Sequence, residues 1–241
     1  MPLSLISVNI ENRKHLSTAV PFIEARKPDV LCLQEVPEED LAAFAQAAGA
    51  AHSYFAPMIL VDGKPQGIAL LSRFPFTARE AYYHHSRETV REFVRSDEES
   101  SEAFVLLMAD IDAPDGPYRI GTTHFVWTPH GEADEFQRNA LAQLEPLLAA
   151  EKPFVLCGDF NAPRGGEIAN RLTALYPDAI PPEYATSIDA HLHRAGQTCP
   201  ECLADKMVDH LFMNPEYCAE HVELVSGVSD HMAIVAVLHR S

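Results

Sequence analysis

Short apolar runs closed by polar residues recur along the chain, and the first, residues 3–9, reads as a buried strand ending at Asn9. From about 12 to 26, Leu16, Ala19, Val20 and Ile23 return at helical spacing until Pro28 stops the pattern. A second strand is expected over 29–34 and an alanine-rich helix over 38–48. Strands near 53–61, 67–72 and 78–84 follow, parted by the turn signals Asp62-Gly63-Lys64-Pro65 and Phe74-Pro75. Residues 104–111 and 118–125 form a hairpin around Pro114-Asp115-Gly116-Pro117. Then come a helix from about 132 to 149, a strand at 154–157 and a short helix at 165–175. Residues 177–197 read as loop, and three closing strands lie near 207–213, 221–225 and 233–238.

This order mixes βα units with hairpins and is too strand-rich for a simple doubly wound sheet. Two packed mixed β-sheets flanked by helices, a four-layer α/β/β/α sandwich, fit it better. A chain of 241 residues that is 47% hydrophobic can bury one such core, so a single domain spanning 1–241 is expected. Polar groups that close strands would then gather on loops at one edge of the sandwich.

Charge and cysteine usage narrow the setting. A formal net charge of −17 argues against affinity built on neutralising many phosphates, although carboxylates engaged with a cation would change the local field. Five cysteines form an odd count without a framework, which suits a reducing compartment. No segment reads as a signal peptide or a membrane span, so a cytoplasmic protein is expected, with no protein partner inferred. Cys32 and Cys157 lie within apolar runs and read as buried small hydrophobes. Cys199-Pro200-Glu201-Cys202 is a lone CxxC that reads as an ordinary loop, with a zinc site completed by His191, His193 or Cys218 as the alternative.

The chemistry concentrates in Gly158-Asp159-Phe160-Asn161-Ala162-Pro163 and in Ser229-Asp230-His231. Asp159 and Asn161 are two apart at the end of an apolar run, so strand geometry turns them to one face, and Gly158 permits a close backbone approach. Asp230 and His231 are adjacent and can serve one site only if the backbone turns there, which Gly227 and Ser229 allow. Four more polar groups close or interrupt apolar strands: Asn9, Glu35, His124 and Asp209.

In this ordered set the chain resembles the endonuclease/exonuclease/phosphatase superfamily, over nearly its whole length from Asn9 to His231. The resemblance implies a deoxyribonuclease I-like fold and a divalent cation, usually magnesium with manganese as an alternative. It implies Glu35 as principal metal ligand, with Asn9 beside it and Asp230 binding directly or through water; such hard oxygen donors suit these ions. It implies His231 as proton acceptor or charge stabiliser, oriented by Asp209, with Asp159 as a competing base. Asn161 would donate to a phosphate oxygen or to the nucleophile, and His124 to another phosphate oxygen. Asp189 stands where relatives place a polar group either on the substrate side or behind the residues that make contact.

The resemblance implies a phosphoester substrate, with DNA among the candidates. A nuclease or DNA-end-processing phosphodiesterase ranks first. A phosphomonoesterase or sphingomyelinase-like hydrolase is the alternative, and a catalytically silent phosphate-binding module is the alternative of another class. Trp127, just after His124, could stack a base or be buried against the following helix. Arg87, Arg91 and Arg95 are spaced to share a helix face and read as a solvated helix balanced by nearby acids, with a phosphate strip as the alternative. His191 and His193 read as loop histidines.

Overall fold

The computed structural model describes residues 2–94 and 100–241. Among the described residues, eleven strands form two sheets. The first has the order β10-β11-β1-β2-β4-β3 and the second β5-β6-β7-β8-β9. The strands of the first sheet are β1 (Leu3–Asn9), β2 (Val30–Pro37), β3 (His52–Val61), β4 (Lys64–Ser72), β10 (Tyr217–Val225) and β11 (Ala233–Arg240). Those of the second are β5 (Phe76–His84), β6 (Phe104–Ala113), β7 (Gly116–His124), β8 (Val155–Asp159) and β9 (Asp209–Met213). Only β1 with β2 and β7 with β8 run parallel, so both sheets are mixed.

Alternation along β1 shows how the layers form. Leu3 and Leu5 join the core between the sheets, whereas Ile6 and Val8 join a second cluster on the outer face. Helices α1 (Leu16–Arg26) and α2 (Leu41–Ala48) cover that outer face through Ala19, Ile23, Phe44 and Ala47. Against the other sheet, α3 (Glu135–Glu151) and α4 (Glu167–Leu175) pack through Leu141, Leu144, Leu148, Ile168 and Leu172. The result is the expected α/β/β/α sandwich.

Two local expectations need correction. The first helix begins at Leu16 rather than near residue 12, because Glu11 and Asn12 adopt positive φ (44° and 62°) and turn the chain first. Arg87 and Arg91 do not share a helix. Only Arg87–Thr89 forms a 3-10 turn, Arg87 pairs with Glu80, and the Arg91 carbonyl accepts the Leu60 N–H. Arg95 lies outside the described residues.

Candidate active site

Strand register assembles the first row of the site. His124 at the end of β7 lies beside Asp159 at the end of β8, and Asp159 lies opposite Asp209 at the start of β9. Directly paired residues on neighbouring strands project to the same face, so these three side chains share one edge of the sheet. Asn9 ends β1 on the inter-sheet face, continuing the positions of Leu3, Leu5 and Ser7.

Glu35 joins them through a bulge. Along β2, Cys32 faces the inter-sheet core and Leu33 the helix side, and buried Gln34 crosses the core to donate to Thr122 Oγ1 at 2.9 Å. Regular alternation would send Glu35 toward the helices. Instead the register slips between Leu33 and Val36, Glu35 takes φ 52°, and Val36 resumes packing on the helix side. The extra residue carries the carboxylate to Asn9, whose Nδ2 donates to Glu35 Oε1 and to Asp159 Oδ2, each at 3.0 Å.

The Asn9 amide has a fixed orientation. Its Oδ1 accepts the Glu11 N–H at 3.0 Å, and reversing the amide would set oxygen against two carboxylates. Asn9 therefore braces two carboxylates here through its nitrogen.

Asp159 is the centre of the cluster and is buried. Its Oδ2 lies 3.5 Å from His124 Nε2 and 3.7 Å from His231 Nε2, while its Oδ1 accepts the Asn161 N–H at 2.8 Å. Asn161 turns back at φ 50°, and its Nδ2 donates to the Phe125 carbonyl at 2.9 Å and lies 3.1 Å from His124 Nε2. The strand thus ends at Asp159, and a left-handed turn, rather than strand alternation, brings Asn161 to the site. Gly158 makes its close approach to the neighbouring strand. A Cβ there would sit 2.1 Å from the Thr123 carbonyl oxygen, at a φ of +143°.

The chain does bend before β11, at Gly227 (φ 79°), and both Asp230 and His231 reach the cleft. His231 Nδ1 lies 2.8 Å from Asp209 Oδ2, which also accepts the Ser187 hydroxyl at 2.6 Å. Burial opposes charge on His231, yet the carboxylates of Asp209, Asp159 and Asp230 outweigh it and hold the imidazole well above its ordinary pKa. Asp209 is pushed up, by burial first, against the opposing pull of His231. Asp230 is raised to about 6 by burial, with His231 opposing and Glu11 and Glu35 adding repulsion. Its oxygen, Glu11 and His15 lie within 4.8 Å of one another, and His15 Nε2 is 3.1 Å from Glu11 Oε2.

Eight of the ten residues expected from sequence therefore meet in one cleft. The other two lie beside it. Asp189 is buried, with its oxygens accepting the His191 N–H (2.9 Å) and the Gly227 N–H (2.7 Å), so it orders backbone next to the cleft. Trp127 is 56% exposed, which removes the alternative of burial against the helix that follows.

Sequence reading passed over the groups that brace this cleft. Ser187 Oγ accepts the N–H groups of Val208 and Asp209, each at 3.0 Å, while its hydroxyl donates to Asp209. His210, fully buried, lies between Asp178 Oδ2 (2.9 Å) and the Ala162 carbonyl (3.0 Å), and Arg164 donates to the same Asp178 oxygen at 2.9 Å. Burial raises the Asp178 pKa, but the bonds from His210 and Arg164 prevail and hold it below the ordinary value. Nothing in a Ser or Asp placed within a loop signals such long-range partners. Cys199 and Cys202 form a disulfide, which replaces both the zinc alternative and the fully reduced cysteines expected. Cys32 and Cys157 are buried free thiols, as expected. Among the described residues no helix is long and apolar enough to cross a membrane.

Solved structures share this architecture. An endonuclease/exonuclease/phosphatase from Beutenbergia cavernae aligns over 100% of this chain and 72% of its own, at 21% identity and a TM-score of 0.70. The human Nocturnin catalytic domain with bound sulfate aligns over 100% and 94%, at 18% identity and a TM-score of 0.67. A mannosyl-6-phosphatase from Bacteroides thetaiotaomicron aligns over 98% and 99%, at 14% identity and a TM-score of 0.68. No curated protein matches the sequence. The sequence profile of the Endonuclease/Exonuclease/phosphatase family matches residues 6–231, and with the fold and the cleft in agreement the chain belongs to that family of phosphoester hydrolases.

Proposed function

We propose that the chain is a magnesium-dependent phosphodiesterase acting at a nucleotide-bearing ester, a nuclease or DNA-end-processing activity. The observation that carries this reading is the Asp159 carboxylate set between two imidazoles, with His231 tied to Asp209. Such a centre offers an acceptor for a water proton and donors for a phosphate in one cleft.

The donors suit a hard cation. Glu35 and Asp230 would hold it, with Asn9 aligning Glu35, and the mutual repulsion of Glu11, Glu35 and Asp230 supports a positive charge there. Manganese fits the same oxygen set. When bound, the ion supplies charge neutralisation at the phosphate and at the departing oxygen.

The chain's own residues do the rest. Asp159 accepts the proton of the attacking water. His231, favoured in its charged form and oriented by Asp209, donates to a non-bridging phosphate oxygen as charge grows there. Asn161 donates to a second oxygen, and its amide, 3.1 Å from His124 Nε2, keeps the two groups side by side beforehand; His124 joins it as a donor when its Nε2 carries the hydrogen. Asp189 acts as a positioning residue for the loop beside Asp230.

The nucleotide reading draws on Trp127, exposed three residues beyond His124, where one base could stack. With a net charge of −17, recognition of one end or one base suits the chain better than a long duplex track. A phosphomonoesterase is the second reading, favoured by the fold shared with the mannosyl-6-phosphatase. A silent phosphate-binding module would have no use for the whole proton-handling set. A panel at fixed magnesium decides among them: a thymidine 5′-phosphodiester, single- and double-stranded DNA, a sugar monophosphate and sphingomyelin. We expect kcat/KM to be highest on the thymidine ester or single-stranded DNA, and Trp127→Ala to lower it about tenfold there. A preference for the sugar monophosphate, unchanged in Trp127→Ala, would reject the nucleotide reading.

A further inference from the structure

The segment between α4 and β9 hangs from the catalytic corner. Ile188 forms an antiparallel bridge with His231, and the Asp189 N–H donates to the Asp230 carbonyl at 2.8 Å. The Met232 N–H returns to the Ser187 carbonyl at 2.7 Å. Asp189 then turns the chain, its carbonyl accepting from Leu192 (3.1 Å) and His193 (2.8 Å). Two steps of backbone hydrogen bonding thus lead from Asp230 to His193.

The His193 side chain has one tautomer open to it. Its Nδ1 accepts the Ala195 N–H at 3.1 Å and so caps the 3-10 turn Arg194–Gln197. A nitrogen that accepts carries no hydrogen, so in the neutral ring the hydrogen sits on Nε2. No described residue accepts from that Nε2–H.

We propose that His193 is a substrate-contacting residue on the wall of the cleft, donating through Nε2–H to an acceptor oxygen on the group that flanks the scissile phosphate. The electrostatics agree with that placement. Burial lowers the His193 pKa, the nearby His231 lowers it further, and Glu11 pulls the other way, which favours the neutral ring. A neutral donor can select an oxygen without competing for the cation that the carboxylates attract. Arg194, exposed and without a carboxylate partner among the described residues, adjoins it.

The inference rests on the phosphodiesterase reading, and two kinds of variant separate contact from capping. Asparagine at 193 can keep the acceptor for Ala195 but loses the distal donor. Glutamine reaches the distal position with an N–H. Three esters serve as probes: bis(p-nitrophenyl) phosphate, thymidine 5′-(p-nitrophenyl) phosphate and its 3′-phosphorylated form. We expect His193→Ala and His193→Asn to raise KM about tenfold on a nucleoside ester, with kcat nearly unchanged, and His193→Gln to recover most of it. Bis(p-nitrophenyl) phosphate should be unaffected. A rise on both nucleoside esters assigns the acceptor to the sugar, and a rise confined to the phosphorylated one assigns it to the second phosphate. Rescue by Asn but not Gln, or equal losses on all three esters, would overturn the proposal. Calorimetric binding of thymidine 3′,5′-bisphosphate gives the same comparison without turnover. Binding that is weakened in His193→Ala and restored in His193→Gln supports the contact even if no ester is hydrolysed, an outcome that would reject only the phosphodiesterase reading. Equal affinity in all variants rejects the contact.

Discussion

Glu35 and Asn161 are the residues at which the backbone departs from its regular course to serve the cleft. Both hold left-handed conformations, at φ 52° and 50°, which non-glycine residues enter only at a cost of about 1–3 kcal/mol. Polar residues closing apolar strands were visible in the sequence, and that was enough to select Asn9, Glu35, His124, Asp159 and Asp209. The bulge that turns Glu35 inward was not visible, because Gln34-Glu35-Val36 contains neither glycine nor proline to mark it. Ser187 escaped notice because a loop serine carries no sign of a distant partner. Its importance lies in Asp209, 22 positions away.

Among the elements, β7, β8 and β9 matter most, because their register alone lines up His124, Asp159 and Asp209. Gly158 is what lets β8 lie so close to β7. Gly158→Ala would place a methyl 2.1 Å from the Thr123 carbonyl oxygen and enforce an unfavourable φ. We expect a stability loss of about 3 kcal/mol or more, measured by urea unfolding, together with loss of activity. Unchanged stability would show that β7 and β8 can move apart freely. The eleven strands and four α-helices of the described residues were legible as apolar runs and helical periodicity. The long α4 to β9 connection was legible only as loop, because its order comes from the Asp189 carboxylate, the Cys199–Cys202 disulfide and the pairing of Ile188 with His231 rather than from a repeating pattern.

Across the whole molecule, two sheets meet with their polar strand ends at one edge, and a cluster of Asp178, Arg164 and the buried His210 locks β9 to the turn that carries Asn161. The Asp178 side chain is only 7% exposed, so its bonds are little screened. Its pKa is held below the ordinary aspartate value of 3.8, which fixes the sign of the linkage. The stabilisation is fully present above about 3.8 and is lost as pH falls through the lower folded value. Asp178→Asn should therefore cost about 2 kcal/mol near neutrality, and the gap from the unmodified chain should close below the ordinary carboxylate range. Thermal unfolding at a series of pH values checks this, and a gap that persists undiminished into acid would contradict it.

The central claim is that Glu35 and Asp230 hold a cation beside an Asp159, Asp209 and His231 proton-handling set. Turnover of bis(p-nitrophenyl) phosphate against magnesium concentration tests it in one assay. The account predicts saturable magnesium dependence in the unmodified chain and a much higher magnesium requirement in Glu35→Ala. It also predicts a loss of about 10² to 10⁴ in kcat for His231→Ala at an unchanged magnesium midpoint. Turnover that ignores magnesium, or that survives His231→Ala undiminished, would contradict it.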